Sequence, residues 1–222
     1  MRDDADSRAA QRDLVRRGYD AVSRAYRTDE GESAVGSSET TAAYESWIQE
    51  LASHLAPGAR VLDIGCGAGV PAARLLVEAG FEVTGVDISQ VQITRARTLV
   101  PQATFHCADI VDFGLEPRNF DAIISLYALI HIPLHDQREL LSRIWQALRP
   151  GGLFLAVVGH GRWTGVEDYL GAPMFWDHAD TDTYLSWLRD DGFEVVWHRY
   201  IPEGDVGHTL VFAQRPEISA AS

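Results

Sequence analysis

Apolar positions along the chain change their spacing twice. Up to about residue 55 they recur at helical intervals. Val15, Tyr19, Val22 and Tyr26 stand at i, i+4, i+7 and i+11 on one helix face, and Tyr44, Trp47, Ile48, Leu51 and Leu55 form another. Between them, Thr28–Glu39 is rich in Gly, Ser and acid and has no period, which reads as a mobile loop. From Arg60 onward short β-rich runs alternate with helical stretches. Strands are expected at Arg60–Ile64, Glu82–Asp87, Thr104–Ala108, Phe120–Leu126 and Leu153–Gly159, and helices at Pro71–Ala79, Gln90–Leu99 and Asp136–Leu148. Pro71 suits a first helical turn, and Asp136 with Glu139 reads as an acidic variant of a capping box.

The third regime begins near residue 181. A helix over Thr181–Asp191 carries Tyr184, Leu185 and Leu188 on one face and stops at Gly192. Two β-rich runs follow, Glu194–Ile201 and His208–Gln214, separated only by "PEGDVG", too short for a crossover helix. The whole predicts an α/β fold: a doubly wound seven-stranded sheet, mostly parallel with one antiparallel strand, and helices on both faces. The organisation read from this pattern is a helical N-terminal cap over 1–55, a core over 56–215 and a flexible tail over 216–222.

Composition narrows the function. With 222 residues, 46 % hydrophobic and 23 % charged, the chain is an ordinary globular sequence with one core. No apolar run approaches the ~18 residues of a membrane span, so no membrane partner is expected. "MRDDADSRAAQRD" is not a secretory signal, and the cytoplasm is the expected compartment. The net charge is −13 and no basic run exceeds Arg16–Arg17, so nucleic acid is not an expected partner. The chain contains no lysine: all 19 basic residues are arginine. That excludes a Walker-type phosphate loop, Schiff-base catalysis and a Tyr-x-x-x-Lys dehydrogenase pair. Cys66 and Cys107 read as small side chains filling tight places. His131 and His135 are four apart, but Pro133 lies between them, and no metal site is expected.

The densest chemistry lies in "VLDIGCGAG" at 61–69, "GVDIS" at 85–89, "CADI" at 107–110, "FDAIISLYALIHIP" at 120–133 and "LRPGGLFL" at 148–155. The glycines Gly65, Gly67 and Gly69 are spaced G-x-G-x-G. A dinucleotide turn needs G-x-G-x-x-G, and Val70 stands where its third glycine would be. In order and spacing these segments resemble the class I S-adenosylmethionine (SAM)-dependent methyltransferases over about Arg60–Gln214. The resemblance implies strand order 3-2-1-4-5-7-6, SAM as cofactor with S-adenosylhomocysteine (SAH) as product, and methyl transfer to a small-molecule acceptor, with O- or N-methylation expected first. A domain that binds SAM or SAH without transferring a methyl is the alternative. A monomer and a homodimer are both open.

On that resemblance, the cofactor is expected to contact Tyr19, Asp63, Gly65, Cys66, Gly67, Asp87, Ile88, Gln92, Asp109, Ile110 and Leu126. Asp87 is suited to ribose hydroxyls or to capping the helix at Gln90, and Asp109 to an adenine amino group or to a cap. Gln92 faces either the pocket or solvent. His131 follows the fourth strand and is the first candidate for a general base, or else orients a loop. His208 opens the last strand on the same side, with Glu203 and Asp205 near it, and is the second candidate, or else a hairpin histidine. The insert at 159–181 lacks clear periodicity and collects aromatic residues. It reads as a substrate lid, a local hydrophobic cluster or a dimer contact. Tyr127, His131, His160, Trp163, Met174, Trp176, His178 and His208 are the expected substrate-facing residues.

Overall fold

The computed structural model describes residues 2–32, 38–204 and 206–217. Two helices come first, α1 (Arg2–Tyr26) and α2 (Ser38–Ala52). The alternating part follows as β1 (Arg60–Ile64), α3 (Ala72–Glu78), β2 (Glu82–Asp87), α4 (Gln90–Leu99), β3 (Thr104–Cys107), β4 (Phe120–Ser125), a 3-10 turn at Leu129–His131, α5 (Leu134–Ala147) and β5 (Leu148–Gly159). The chain ends with β6 (Trp163–Tyr169), β7 (Ala172–His178), α6 (Thr181–Asp191), β8 (Glu194–Glu203) and β9 (Val206–Gln214).

Seven strands form one sheet in the order β3-β2-β1-β4-β5-β9-β8. β1 pairs in parallel with both β2 and β4, and β9 runs antiparallel to β5. The numbering departs from the expected order because the insert supplies two strands of its own. β6 and β7 make a separate two-stranded sheet. Chain order reverses at β1, so a crevice opens between the carboxyl ends of β1 and β4, where ligands bind in open α/β sheets.

Alternate residues of each strand feed two cores. Val61, Ala122 and Ile124 face Trp47, Leu51, Leu76 and Ile93 on one side, whereas Leu62, Ile64 and Ile123 face Leu140, Ile144, Tyr184 and Leu188 on the other. Burial on both faces makes β1 and β5 nearly continuous apolar runs. α6 is bounded as the sequence predicts. Asp180 accepts from the Thr183 N–H, and Gly192 ends the helix at φ 99.

Three expectations are corrected. Asp136 does not cap its helix: α5 starts at Leu134, and the Asp136 carboxylate is buried against Arg8 and Arg12 of α1, at 2.9 and 2.5 Å. The apparent loop over Thr28–Glu39 is shorter, since α2 begins at Ser38. Within its described part Asp29 pairs with Arg95 at 2.6 Å, while residues 33–37 lie outside the described residues, as do 218–222 of the tail. The insert is a β-hairpin rather than an irregular stretch. Its turn places Leu170 at φ 58 and Gly171 at φ 86, as a two-residue type I′ turn requires. Leucine is an unusual first residue for such a turn, and β6 is largely exposed, so neither turn chemistry nor alternation marks the hairpin.

Candidate active site

The glycine turn is built around contacts that leave no room for side chains. Gly65 has φ 70, and a Cβ there would overlap that of Ala128 after β4. A Cβ on Gly69 would sit 3.1 Å from the Phe105 ring and 3.2 Å from Val100, so this third glycine serves packing of the turn onto the neighbouring layer. The Gly67 N–H donates to Asp87 Oδ2 at 2.9 Å, and the Ser89 N–H donates to Asp87 Oδ1 at 2.8 Å. Asp87 thus pins the turn and holds Ser89, whose hydroxyl caps α4 by accepting from the Gln92 N–H. Burial pushes its carboxyl up to about 6 against the lowering effect of these N–H groups. Behind it Asp63 is buried. Burial, and then the charge of Asp87, push its carboxyl up to about 7, and its Oδ2 has no hydrogen-bond partner.

A cleft with about 700 Å³ of empty space, part of it open to solvent, lies over this turn. Its floor is Ile64, Gly65, Gly67, Val86, Asp87 and Ile88. One end is Ala108, Asp109 and Ile110, the other Leu126, Tyr127, Ala128 and His131. Helix α1 forms the roof with Arg12, Val15, Tyr19 and Tyr26. Polar contacts hold the roof along its length. Arg12 Nε donates to Asp109 Oδ2 at 2.6 Å, Ser89 Oγ to Asp20 at 2.6 Å and Ser23 Oγ to Gln92 at 2.8 Å. Gln92 also lines the cavity and is buried rather than solvated.

A second cavity of about 380 Å³ shares Tyr26, Gly65, Gly67 and Leu126 with the first and adds Arg27, Tyr44, Asp63 and Cys66. Arg27 is buried and has no carboxylate partner among the described residues. Its guanidinium lies over the rings of Tyr26 and Tyr44, at 5.2 and 5.1 Å, and Nη1 donates to the Gly31 carbonyl. One small space therefore holds a buried cation at one wall and a buried, hard-to-ionise acid at another.

His131 is buried, with both nitrogens engaged. Nδ1 donates to the Phe175 carbonyl at 2.8 Å, so Nε2 is the acceptor for the Tyr19 hydroxyl at 2.9 Å. Burial holds its pKa down at about 4, and the ring is neutral at ordinary pH. Trp176 lies 4.1 Å from it, centroid to centroid, and Tyr169 packs on Trp176. On the far side of Tyr127 a second group gathers. His208 meets the Tyr127 ring edge-on at 5.5 Å, His208 Nδ1 is 3.2 Å from Glu203 Oε1, and His178 is 6.1 Å away.

The structure thus brings Tyr19, Gly65, Gly67, Asp87, Ile88, Gln92, Asp109, Ile110, Leu126, Tyr127 and His131 to one cavity, and Asp63 and Cys66 to the adjoining one. Six expected residues line neither cavity: His160, Trp163, Met174, Trp176, His178 and His208. Met174 is buried against α1, its Cε within 2.7 Å of where a Gly18 Cβ would stand, so it seals the hairpin to the helix. Trp163 is 46 % exposed on the outer strand of the hairpin. His160 bonds Thr209 and Thr181 and stacks on Tyr200, tying β5 to β9 and α6. Asp205 lies outside the described residues. Sequence reading missed Arg12, Tyr26, Arg27 and Tyr44. Tyr26 and Tyr44 were visible as members of helix faces, but nothing local distinguishes Arg12 or Arg27 from the many surface arginines.

Residues 61–152 match the family model described as a methyltransferase domain. The sterol 24-C-methyltransferase ERG6B of Gibberella zeae is 33 % identical over 196 residues, covering 73 % of this chain and 49 % of that protein. The chain spans about half the length of the curated relatives it matches. Magnesium protoporphyrin IX methyltransferase from Synechocystis with bound SAH superimposes with TM-score 0.73 at 20 % identity, covering 92 % of this chain and 99 % of that one. The cyclase SpnF superimposes with TM-score 0.69 at 20 % identity, covering 92 % and 96 %. These matches place a methyltransferase domain at residues 61–152, within a fold shared with S-adenosylmethionine-dependent methyltransferases.

Proposed function

We propose that the chain binds SAM in the joined cavities and transfers its methyl group to a small-molecule acceptor, by O- or N-methylation. The carrying observation is the pairing of charges around the glycine turn. Asp63, with its unpartnered oxygen, and Arg27, without an acid partner, line the same cavity, and they suit the ammonium and carboxylate of an amino-acid tail. Asp87 accepts ribose hydroxyls at the centre, while Gln92, Asp109, Ile88 and Ile110 enclose the base beneath α1. Cys66 fills the space behind the turn, its thiol pushed up by burial and therefore uncharged. When bound, SAM supplies an electrophilic methyl carbon on a sulfonium, so the protein's task is alignment and exclusion of water.

In this reading residues 56–215 are the catalytic core, α1 and α2 are its cap, and Tyr127, Trp176, His178 and His208 face the acceptor. Tyr19 and His131 fix each other at the wall between donor and acceptor. His131 orients this wall, because its lone pair is already committed to Tyr19. The two unpaired cysteines fit the cytoplasm as compartment. The likeness to SpnF keeps one alternative in view, a SAM-binding fold serving another reaction. Incubation with methyl-labelled SAM and a set of small hydroxyl and amine compounds separates the two. The proposal expects label in a product and stoichiometric SAH, whereas tight SAM binding with no transfer to any compound supports the alternative.

A further inference from the structure

We propose that Glu203 and His208 form a proton-accepting dyad for the acceptor, with His208 as the catalytic base and Glu203 as its positioning residue. It follows that the acceptor is a group that is neutral in water, such as a hydroxyl or an azole N–H. This deepens the methyl-transfer reading and rests on it.

Four observations carry the dyad. First, His208 Nδ1 is buried and makes no hydrogen bond among the described residues, and Glu203 Oε1 stands 3.2 Å from it. A carboxylate on Nδ1 selects the tautomer in which Nδ1 carries the hydrogen and Nε2 holds the lone pair. No hydrogen-bond partner engages Nε2 among the described residues, in contrast to the doubly engaged His131. Second, burial pushes the Glu203 carboxyl up, but contacts from His208 and Tyr127 outweigh it and hold it below its usual value, so Glu203 stays ionised. Third, His208 abuts Tyr127, which lines the cofactor cavity and is held at φ 65, a backbone conformation that non-glycine residues adopt at a cost. Fourth, the backbone makes room for this arrangement. Gly159 is the ladder partner of His208, and a Cβ there would overlap the His178 ring. A Cβ on Gly207, next to His208, would overlap the Ile201 carbonyl. Gly159 thus leaves room for His178 near His208, and Gly207 lets β8 approach beside His208.

The groups facing His208 are Glu203 from β8, Tyr127 after β4 and His178 from β7. Burial and the Glu203 carboxylate push the Tyr127 phenol far up, so Tyr127 is a neutral hydroxyl and not a competing base. The chemical step balances as follows. A lone pair on the acceptor oxygen or nitrogen forms the bond to the methyl carbon. The carbon–sulfur bond breaks, and its pair goes to sulfur, which becomes a neutral thioether. The acceptor proton passes to His208 Nε2, and the imidazolium is balanced by Glu203 until water removes the proton.

Two measurements test this. With SAM saturating, neutral phenols are compared with 4-nitrophenol, already ionised at mildly alkaline pH. His208→Ala is expected to lower transfer to neutral phenols ~100-fold, as loss of a general base does, and to spare 4-nitrophenol by comparison. Glu203→Gln is expected to lower transfer to neutral phenols and likewise to spare 4-nitrophenol by comparison. Equal losses on both phenols in either variant overturn the dyad. The second measurement needs no acceptor: ring-nitrogen NMR of histidine in the SAH complex. It is expected to show His208 as the Nδ1–H tautomer, a preference lost in Glu203→Ala. An Nε2–H tautomer in the wild type, or an unchanged tautomer in Glu203→Ala, overturns the proposal even if no phenol is a substrate. Failure of the wild-type protein to bind SAH would instead overturn the reading beneath it.

Discussion

Asp63 and Asp87 stand behind and within the glycine turn, with carboxyls pushed up to about 7 and about 6 chiefly by burial. For an acid, a raised pKa means that the folded state holds its proton more firmly than the unfolded chain. The associated stability is present below about pH 4 and is lost as pH rises through about 6 to 7. Cofactor donors that reach these oxygens favour the ionised forms, so SAH affinity should rise with pH through the same window and level off above it. Asp63→Asn removes the ionisation. Without ligand, that variant should melt a few degrees above the wild type near neutral pH, and the difference should shrink toward about pH 4. A scanning-calorimetry series over pH decides this, and a variant less stable at every pH would refute the electrostatic account. Asp87 was readable from its place after the second strand. Arg27 was not, because a cation stands out only when the fold buries it without an acid.

Helix α1 roofs the crevice, and the β6–β7 hairpin braces that helix. Their seam is Val15, Met174 and Phe175, with Gly18 allowing the close approach. Met174→Ala should cost about 2–4 kcal/mol by opening a cavity there. It should also speed proteolysis within the hairpin and weaken SAH binding through the loosened roof. A variant with wild-type denaturation midpoint and wild-type SAH affinity would show that the seam does not support the site. The helix period of α1 was plain in the sequence, yet its partner was not. Pairing of β6 with β7 depends on a turn that begins with Leu170, and Asp136, which reads locally as a cap, is claimed by Arg8 and Arg12 from far along the chain.

For the whole molecule, the strand–helix alternation and the closing hairpin are properties of local pattern, and the seven-stranded sheet follows from them. Where the insert folds, which arginines are buried and which histidine is free are properties of long-range packing, and no single segment encodes them. The account stands or falls on what the crevice holds. Calorimetric titration of SAH near neutral pH tests it most directly, with NAD as the competing ligand and Asp87→Ala as the variant. The account predicts saturable binding of SAH at one site, weakened about tenfold or more by Asp87→Ala through loss of charged hydrogen bonds, and no binding of NAD. Binding of NAD, or an SAH affinity indifferent to Asp87→Ala, would contradict it.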